Sequence, residues 1–264
     1  MGVVRIIAVI LAIVAMTLVL VPFQLAGIIT NSRLAVWVPL IWHRLARRLL
    51  RIRIRVIGSP VTREPALFVS NHVSWVDIVT MGATLPASFV AKYEVGTWPG
   101  IKYLANLQRT IYVSRDRKTA ELERKKMTGR LERGDSLILF PEGTSYDGLR
   151  IGEFRTAFFS LADLRPNDKP LKVQPFSVTY TKVDGFPVSR RSMDKVAWYG
   201  DMDLAPHLAD FITGGPYECT LTFFEPVSME AMGNRKQLAR HCRDRIVQGN
   251  SDALSGVHSP IART

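Results

Sequence analysis

His72 and Asp77 are the pair in this chain whose types and spacing suit acid–base chemistry. An imidazole titrates near neutral pH, so it can take a proton from a hydroxyl. It does so best when a carboxylate holds its other ring nitrogen and fixes the tautomer. On a continuous helix a separation of five turns two side chains about 140° apart. The two can meet only if His72 precedes a helix and Asp77 sits in its first turn. The flanking sequence predicts that layout. Residues 66–70 read as a buried strand and residues 78–83 as a helix body, with Ser74 as the N-cap. The same spacing also fits a purely structural capping box, Asp77 replacing the usual Glu. This stretch by itself leaves both readings open.

The elements around the pair follow an alternating pattern. Residues 52–56 alternate apolar and basic and predict a half-buried strand. Residues 89–91, 110–113 and 137–140 are further β-rich runs, and residues 119–131 are helix formers stopped at Gly134. Strands alternating with helical runs predict an α/β fold, a mostly parallel central sheet flanked by helices. In such sheets ligands gather beyond the carboxyl ends of the strands. His72, Arg115 and Glu142 each lie just after a predicted strand. That shared position is the physical reason to group them in one site. Further on, residues 172–180 read as a strand broken by Pro175, and residues 196–200 and 219–224 as two more strands. Residues 204–211 and 229–247 read as helices. The chain then divides into residues 1–50, which precede the sheet, a domain over 51–250, and a loose tail over 251–264.

Charge and hydropathy place the first part at a lipid surface. The net charge is +12, and the first 56 residues hold eight Arg, no Lys and no acid, leaving +4 for the rest. No charged residue lies between Arg5 and Arg33, and residues 6–21 are almost wholly apolar until Pro22 interrupts them. About 20 such residues cross a bilayer core, so this predicts an uncleaved anchoring helix that spans or dips. Residues 34–50 add an amphipathic helix, with Arg44, Arg47, Arg48 and Arg51 at helical spacing and Trp37 and Trp42 suited to the water–lipid boundary. The alternative is a packed surface helix with a solvated basic face. Basic residues beside the greasiest segment favour an anionic membrane surface over nucleic acid and put the main domain on the cytoplasmic side. Cys219 and Cys242 lack metal-type spacing, and no metal site is expected.

The ordered set of motifs is more specific than any member of it. Asn71-His72 with Asp77, then Arg115 after a β-run, then Phe140-Pro141-Glu142-Gly143-Thr144, then Val173-Gln174-Pro175-Phe176 resembles the glycerolipid acyltransferase family. The motifs cover residues 71–176, and the likeness of fold is expected over about residues 50–245. The family moves a fatty acyl group from a thioester, on acyl carrier protein or coenzyme A, to a lipid hydroxyl, with no metal or organic cofactor. The resemblance implies that His72 is the general base and Asp77 its orienting carboxylate. It further implies that Arg115, Glu142, Gly143 and Thr144 contact the acceptor and that Pro175 shapes the acyl side. It places the enzyme on the bacterial inner membrane, with acyl carrier protein and a lysolipid acceptor as partners.

One departure bears on the acceptor. Many phosphate-handling members carry Arg directly after Gly-Thr, where this chain has Ser145, then Tyr146-Asp147-Gly148. Losing a bidentate phosphate partner and gaining Asp147 favours an ammonium over a phosphate head group. Asp147 could equally be a turn residue before Gly148. With residues 197–204, this run resembles the lyso-ornithine lipid acyltransferase branch, whose acceptor carries an ornithine head and a free hydroxyl. The rival readings are a lysophosphatidic acid acyltransferase, a non-catalytic membrane-binding module, and a hydrolase using the same pair on water. The chain has no GxSxG elbow, which disfavours the hydrolase.

Overall fold

The computed structural model describes residues 2–114 and 119–257. The chain opens with α1 (Gly2–Ile29) and α2 (Leu34–Leu49), then enters the sheet through β1 (Ile52–Ile57) and β2 (Ala66–Ser70). Next come α3 (Val76–Gly82), β3 (Ala87–Lys92), α4 (Ile101–Leu107), β4 (Ile111–Val113), α5 (Ala120–Glu132) and β5 (Ser136–Leu139). The second half contains β6 (Lys172–Val183), the two-residue β7 (Phe186–Pro187), α6 (Arg190–Met193), α7 (Leu204–Thr213), β8 (Tyr217–Phe223), α8 (Met229–Met232) and α9 (Arg235–Ser255).

The strands form one sheet in the order β1-β8-β6-β2-β5-β3-β4, with β7 beside β6. The run β6-β2-β5-β3-β4 is parallel throughout, and β1 is parallel to β8. The antiparallel pairs among the described strands are β6 with β8 and β6 with β7. This is the mostly parallel sheet that the alternation predicts. All five residues of β2 are buried, as the apolar run Ala66–Val69 and the small Ser70 allow in a sheet covered on both faces. One face carries Ala66, Phe68, Phe176, Val178 and Tyr180 under α3 and α7; the other carries Leu67, Val69, Leu137 and Leu139 under α9. The carboxyl ends of β2, β5 and β6 therefore open on one edge.

Several boundaries differ from the sequence reading. α1 runs unbroken through Pro22, which deletes one rung of a ladder and leaves the rest of the helix intact. β6 likewise runs through Pro175, because the amide N–H of Phe224 still reaches the Pro175 carbonyl (3.0 Å) while β2 pairs on the other side. Residues 229–247 are two helices, separated at Gly233, whose φ is +79°. The last helix continues to Ser255 with Ala253 buried, so residues 251–255 belong to the packed domain and are not loose tail. Residues 196–200 form no strand; the amides of Val196 and Ala197 bond the Met193 carbonyl, and that of Trp198 the site loop described below.

The N-terminal helices also form part of the body. α1 is long and apolar enough to cross a membrane, and Val3, Leu11, Leu18 and Phe23 are exposed on it. Its other side packs against α2, α4 and α7. Arg5 donates to the Ile212 carbonyl at the end of α7, and Gln24 donates to the carbonyls of Ala35 and Leu107. α2 divides its apolar residues between two faces. Ala35, Val38, Leu40 and Ala46 are buried, while Leu34, Trp37, Ile41 and Leu45 form an exposed stripe at three- and four-residue steps. Trp42 is turned inward and donates to Thr17 of α1 (2.9 Å). Arg44 and Arg47 reach the carbonyls of Ala83 and Ile52, so part of the basic face holds the domain.

Candidate active site

The site loop begins where β2 ends. Asn71 pins that end to β6 with a reciprocal pair: its Nδ2–H donates to the Val178 carbonyl and its Oδ1 accepts the Val178 amide, both at 2.9 Å. The chain then leaves the sheet at His72 and starts α3 four residues later, with Asp77 in the first turn. His72 therefore lies outside the helix, as meeting requires. Its Nδ1 lies 2.8 Å from Asp77 Oδ2. Trp75 holds the N-cap position and has no side-chain cap bond. The Asp77 carboxylate serves the loop instead, with Oδ2 accepting the amides of Val73 (2.6 Å) and Ser74 (3.0 Å). The capping role and the histidine contact thus coexist in one side chain.

The imidazole is held on two sides and open on a third. Its ring stacks on Phe140, at the end of β5, with centroids 4.2 Å apart. The side chain is 21% exposed while Asp77 is fully buried. Nε2 is not buried and has no hydrogen-bond partner among the described residues. An imidazole with Nδ1 on a carboxylate and Nε2 free is arranged to accept a proton at Nε2.

Glu142 reaches the same loop from the end of β5, the strand next to β2. The structure places it beneath the loop. It is 2% exposed. Its Oε1 accepts the His72 amide (2.7 Å) and its Oε2 the Gly152 amide (2.6 Å). Both oxygens accept backbone amides, so the side chain clamps the loop that carries His72. Arg243 of α9 holds the far side of that clamp through the carbonyls of Ile151 and Gly152. Burial pushes the Glu142 pKa up to about 7, and the two amide bonds oppose that rise.

This shift has a measurable consequence. Between about pH 4.5 and 7 the folded protein holds a proton on Glu142 that the unfolded chain has released. The Glu142 contribution to stability therefore falls as pH rises through that window, by about 3 kcal/mol. His43, whose burial pushes its pKa down to about 4, gives the opposite slope over part of the range. It does so equally in a Glu142→Gln variant. Denaturant titrations at several pH values should therefore show the stability of wild type minus variant declining from pH 4.5 to 7. A flat difference contradicts this account.

The remaining predicted residues are placed unevenly. Gly143 has φ +70°, and a Cβ there would lie 3.3 Å from the Arg155 guanidinium. Thr144 is exposed beside it. Asp147 is a turn residue: its Oδ1 accepts the amides of Leu149 and Arg150, each at 2.9 Å, and Oδ2 has no partner among the described residues. Pro175 is buried, and strand alternation puts it with Val173 on the face opposite Tyr180, away from the His72–Asp77 pair. Arg115 lies outside the described residues.

Some of the site was missed in the sequence. The Tyr180 hydroxyl donates to Asp77 Oδ1 (2.8 Å). Period-two reading of β6 would have put Tyr180 in one row with Phe176 and Val178. Residues 196–200 cross the site: the Trp198 amide donates to the Val73 carbonyl (3.0 Å) and Ser145 Oγ to the Trp198 carbonyl (2.6 Å). Trp198 meets Trp98 edge to face at 5.9 Å. Ser145 thus ties this segment down at the position where phosphate-handling relatives are expected to have Arg. No cluster of His, Cys, Asp or Glu among the described residues could hold a metal.

Comparison with known proteins fits this geometry. The acyltransferase family model matches residues 53–195. A lyso-ornithine lipid O-acyltransferase of Brucella abortus is 37% identical over 99% of this chain and 99% of its own length. A 1-acyl-sn-glycerol-3-phosphate acyltransferase of Neisseria gonorrhoeae is 34% identical over 40% of this chain and 43% of its own. The crystal structure of a 1-acyl-sn-glycerophosphate acyltransferase from Thermotoga maritima matches with a TM-score of 0.65 over 97% of this chain and 99% of that one. At 17% identity this last match is a likeness of fold. Matched over more than half its length by the family model and along nearly all of it by a full-length relative, this chain belongs to the acyltransferase family.

Proposed function

We propose that the protein is a membrane-attached O-acyltransferase that moves a fatty acyl group from an acyl carrier protein thioester to the free hydroxyl of lyso-ornithine lipid. The observation that carries the reaction type is the 2.8 Å contact of His72 Nδ1 with a buried Asp77, together with an open Nε2. The acceptor hydroxyl gives its proton to Nε2, and its oxygen attacks the thioester carbonyl. The tetrahedral intermediate then collapses, and the departing thiolate takes a proton back from His72. The acceptor is itself the nucleophile, so no protein Ser or Cys is required. Cys219 and Cys242 are both buried, and burial raises both thiol pKa values. No cofactor beyond the thioester enters this scheme.

The acceptor assignment rests on two supports. The relative that matches end to end bears the lyso-ornithine lipid name, whereas the lysophosphatidic-type relative matches two fifths of the chain. The position after Thr144 holds Ser145, bonded to the Trp198 carbonyl, so that position itself supplies no guanidinium for a phosphate. The exposed apolar faces of α1 and α2 and the arginines that follow them support attachment to the cytoplasmic leaflet of a bacterial inner membrane.

The test supplies labelled acyl–acyl carrier protein with lyso-ornithine lipid and, separately, with lysophosphatidic acid. Transfer to the former should exceed transfer to the latter at least tenfold in kcat/KM. Exclusive use of lysophosphatidic acid refutes the acceptor. Free fatty acid released without any acceptor refutes the transferase reading in favour of a hydrolase.

A further inference from the structure

We infer that Tyr180 is a positioning residue for the reaction, acting through Asp77; this rests on the reading of His72 as the base. Asp77 is fully buried, so water cannot satisfy its oxygens. Oδ2 faces three donors: the His72 ring nitrogen and the amides of Val73 and Ser74. All three come from the loop that the carboxylate organises. Among the described residues Oδ1 has one partner, the hydroxyl of Tyr180, which reaches it from β6 across 103 residues of sequence. Tyr180 is 1% exposed and lies in the apolar layer with Phe176 and Val178.

This arrangement has two consequences. A carboxylate gripped at one oxygen can still pivot about its χ2 bond. Gripped at both, it cannot, and Oδ2 stays aimed at Nδ1. Second, a buried ionised carboxylate with an unpaired oxygen is costly, and one hydrogen bond to a charged group offsets much of that cost. Burial and the adjacent carboxylate keep the phenol protonated, so Tyr180 remains a donor. The central strand is thus tied to the site twice: Asn71 fixes the start of the loop on Val178, and Tyr180, two residues along on the same strand, fixes the carboxylate. The sheet sets the distance between base and carboxylate through these two links.

The test is a double-mutant cycle on the full chain in detergent micelles, with Tyr180→Phe, Asp77→Asn and the double variant. Tyr180→Phe should lower kcat roughly 10–100-fold with KM for the lysolipid within about twofold of wild type. In the Asp77→Asn background the same change should cost less than about threefold, because the group through which it acts is already altered. A purely structural tyrosine predicts a lower melting temperature, an unchanged kcat per folded molecule and additive effects; that result overturns the inference. If Tyr180→Phe does not fold, 3-fluorotyrosine at position 180 keeps the shape and makes the hydroxyl a stronger donor. An unmoved acid limb of the kcat/KM profile then overturns the inference, and a displaced limb supports it. A fully active His72→Ala variant would instead remove the reading beneath the proposal. A dead His72→Ala variant beside an unaffected Tyr180→Phe removes only the role of Tyr180.

Discussion

Purified His72→Ala is expected to transfer acyl groups about 10²–10⁴-fold more slowly than wild type, the usual contribution of a positioned base. The fold should survive the change. The backbone bonds that set the loop, from the His72 amide to Glu142 and from the Tyr146 amide to the His72 carbonyl, do not use the ring. The ring is partly exposed, and its loss leaves a gap beside Phe140 that opens toward solvent. Initial rates with acyl thioester and lysolipid, beside a melting curve, separate the two effects. A rate within tenfold of wild type would leave the chemistry without its base.

Asp77→Asn should cost more than its small change of shape suggests. The amide oxygen of Asn can take the three donors that Oδ2 now takes. Its NH₂ can face Tyr180, whose hydroxyl rotates to accept instead of donate. The loop therefore keeps its geometry while the negative charge behind the imidazole is lost. An imidazolium formed during transfer is then unsupported, and kcat should fall roughly 10³–10⁴-fold, the scale seen for the analogous change in a Ser-His-Asp triad. Melting temperature should move by a few degrees. A variant that loses its fold along with its rate would show that Asp77 acts mainly as a cap for the loop, the other reading of the sequence.

What could be read without coordinates was whatever depends on local pattern. The run at residues 66–70 became a strand with those bounds because a central parallel strand is buried on both faces and therefore nearly all apolar. The placement of His72 ahead of a helix and Asp77 within it followed from turn geometry. Proline misled twice, at Pro22 and Pro175. The rule that it breaks an element describes one lost donor, and packed neighbours here keep the rest of the ladder. Residues 196–200 looked like a strand by composition, yet Val196 and Ala197 are buried against the site and the Trp198 amide bonds a loop carbonyl. That Glu142 follows a strand was legible, but its burial and its two backbone partners were not, because sequence shows which residue follows a strand and not which way its side chain turns. The Tyr180–Asp77 bond crosses two elements distant in the chain, and no short window contains both.

The attachment of the first helix has a practical side. Arg5 and Gln24 fasten α1 to α7, α2 and α4 near its two ends, and Val9 on its inner face is buried against the body. Trimming the greasy N-terminus, the customary route to a water-soluble fragment, would here strip one wall from the catalytic body and leave backbone carbonyls and apolar side chains bare. Exchanging it for an unrelated anchor would do the same. Amphiphiles or nanodiscs that shield the outer face of α1 while leaving its inner face in place are the more promising route to handling this enzyme.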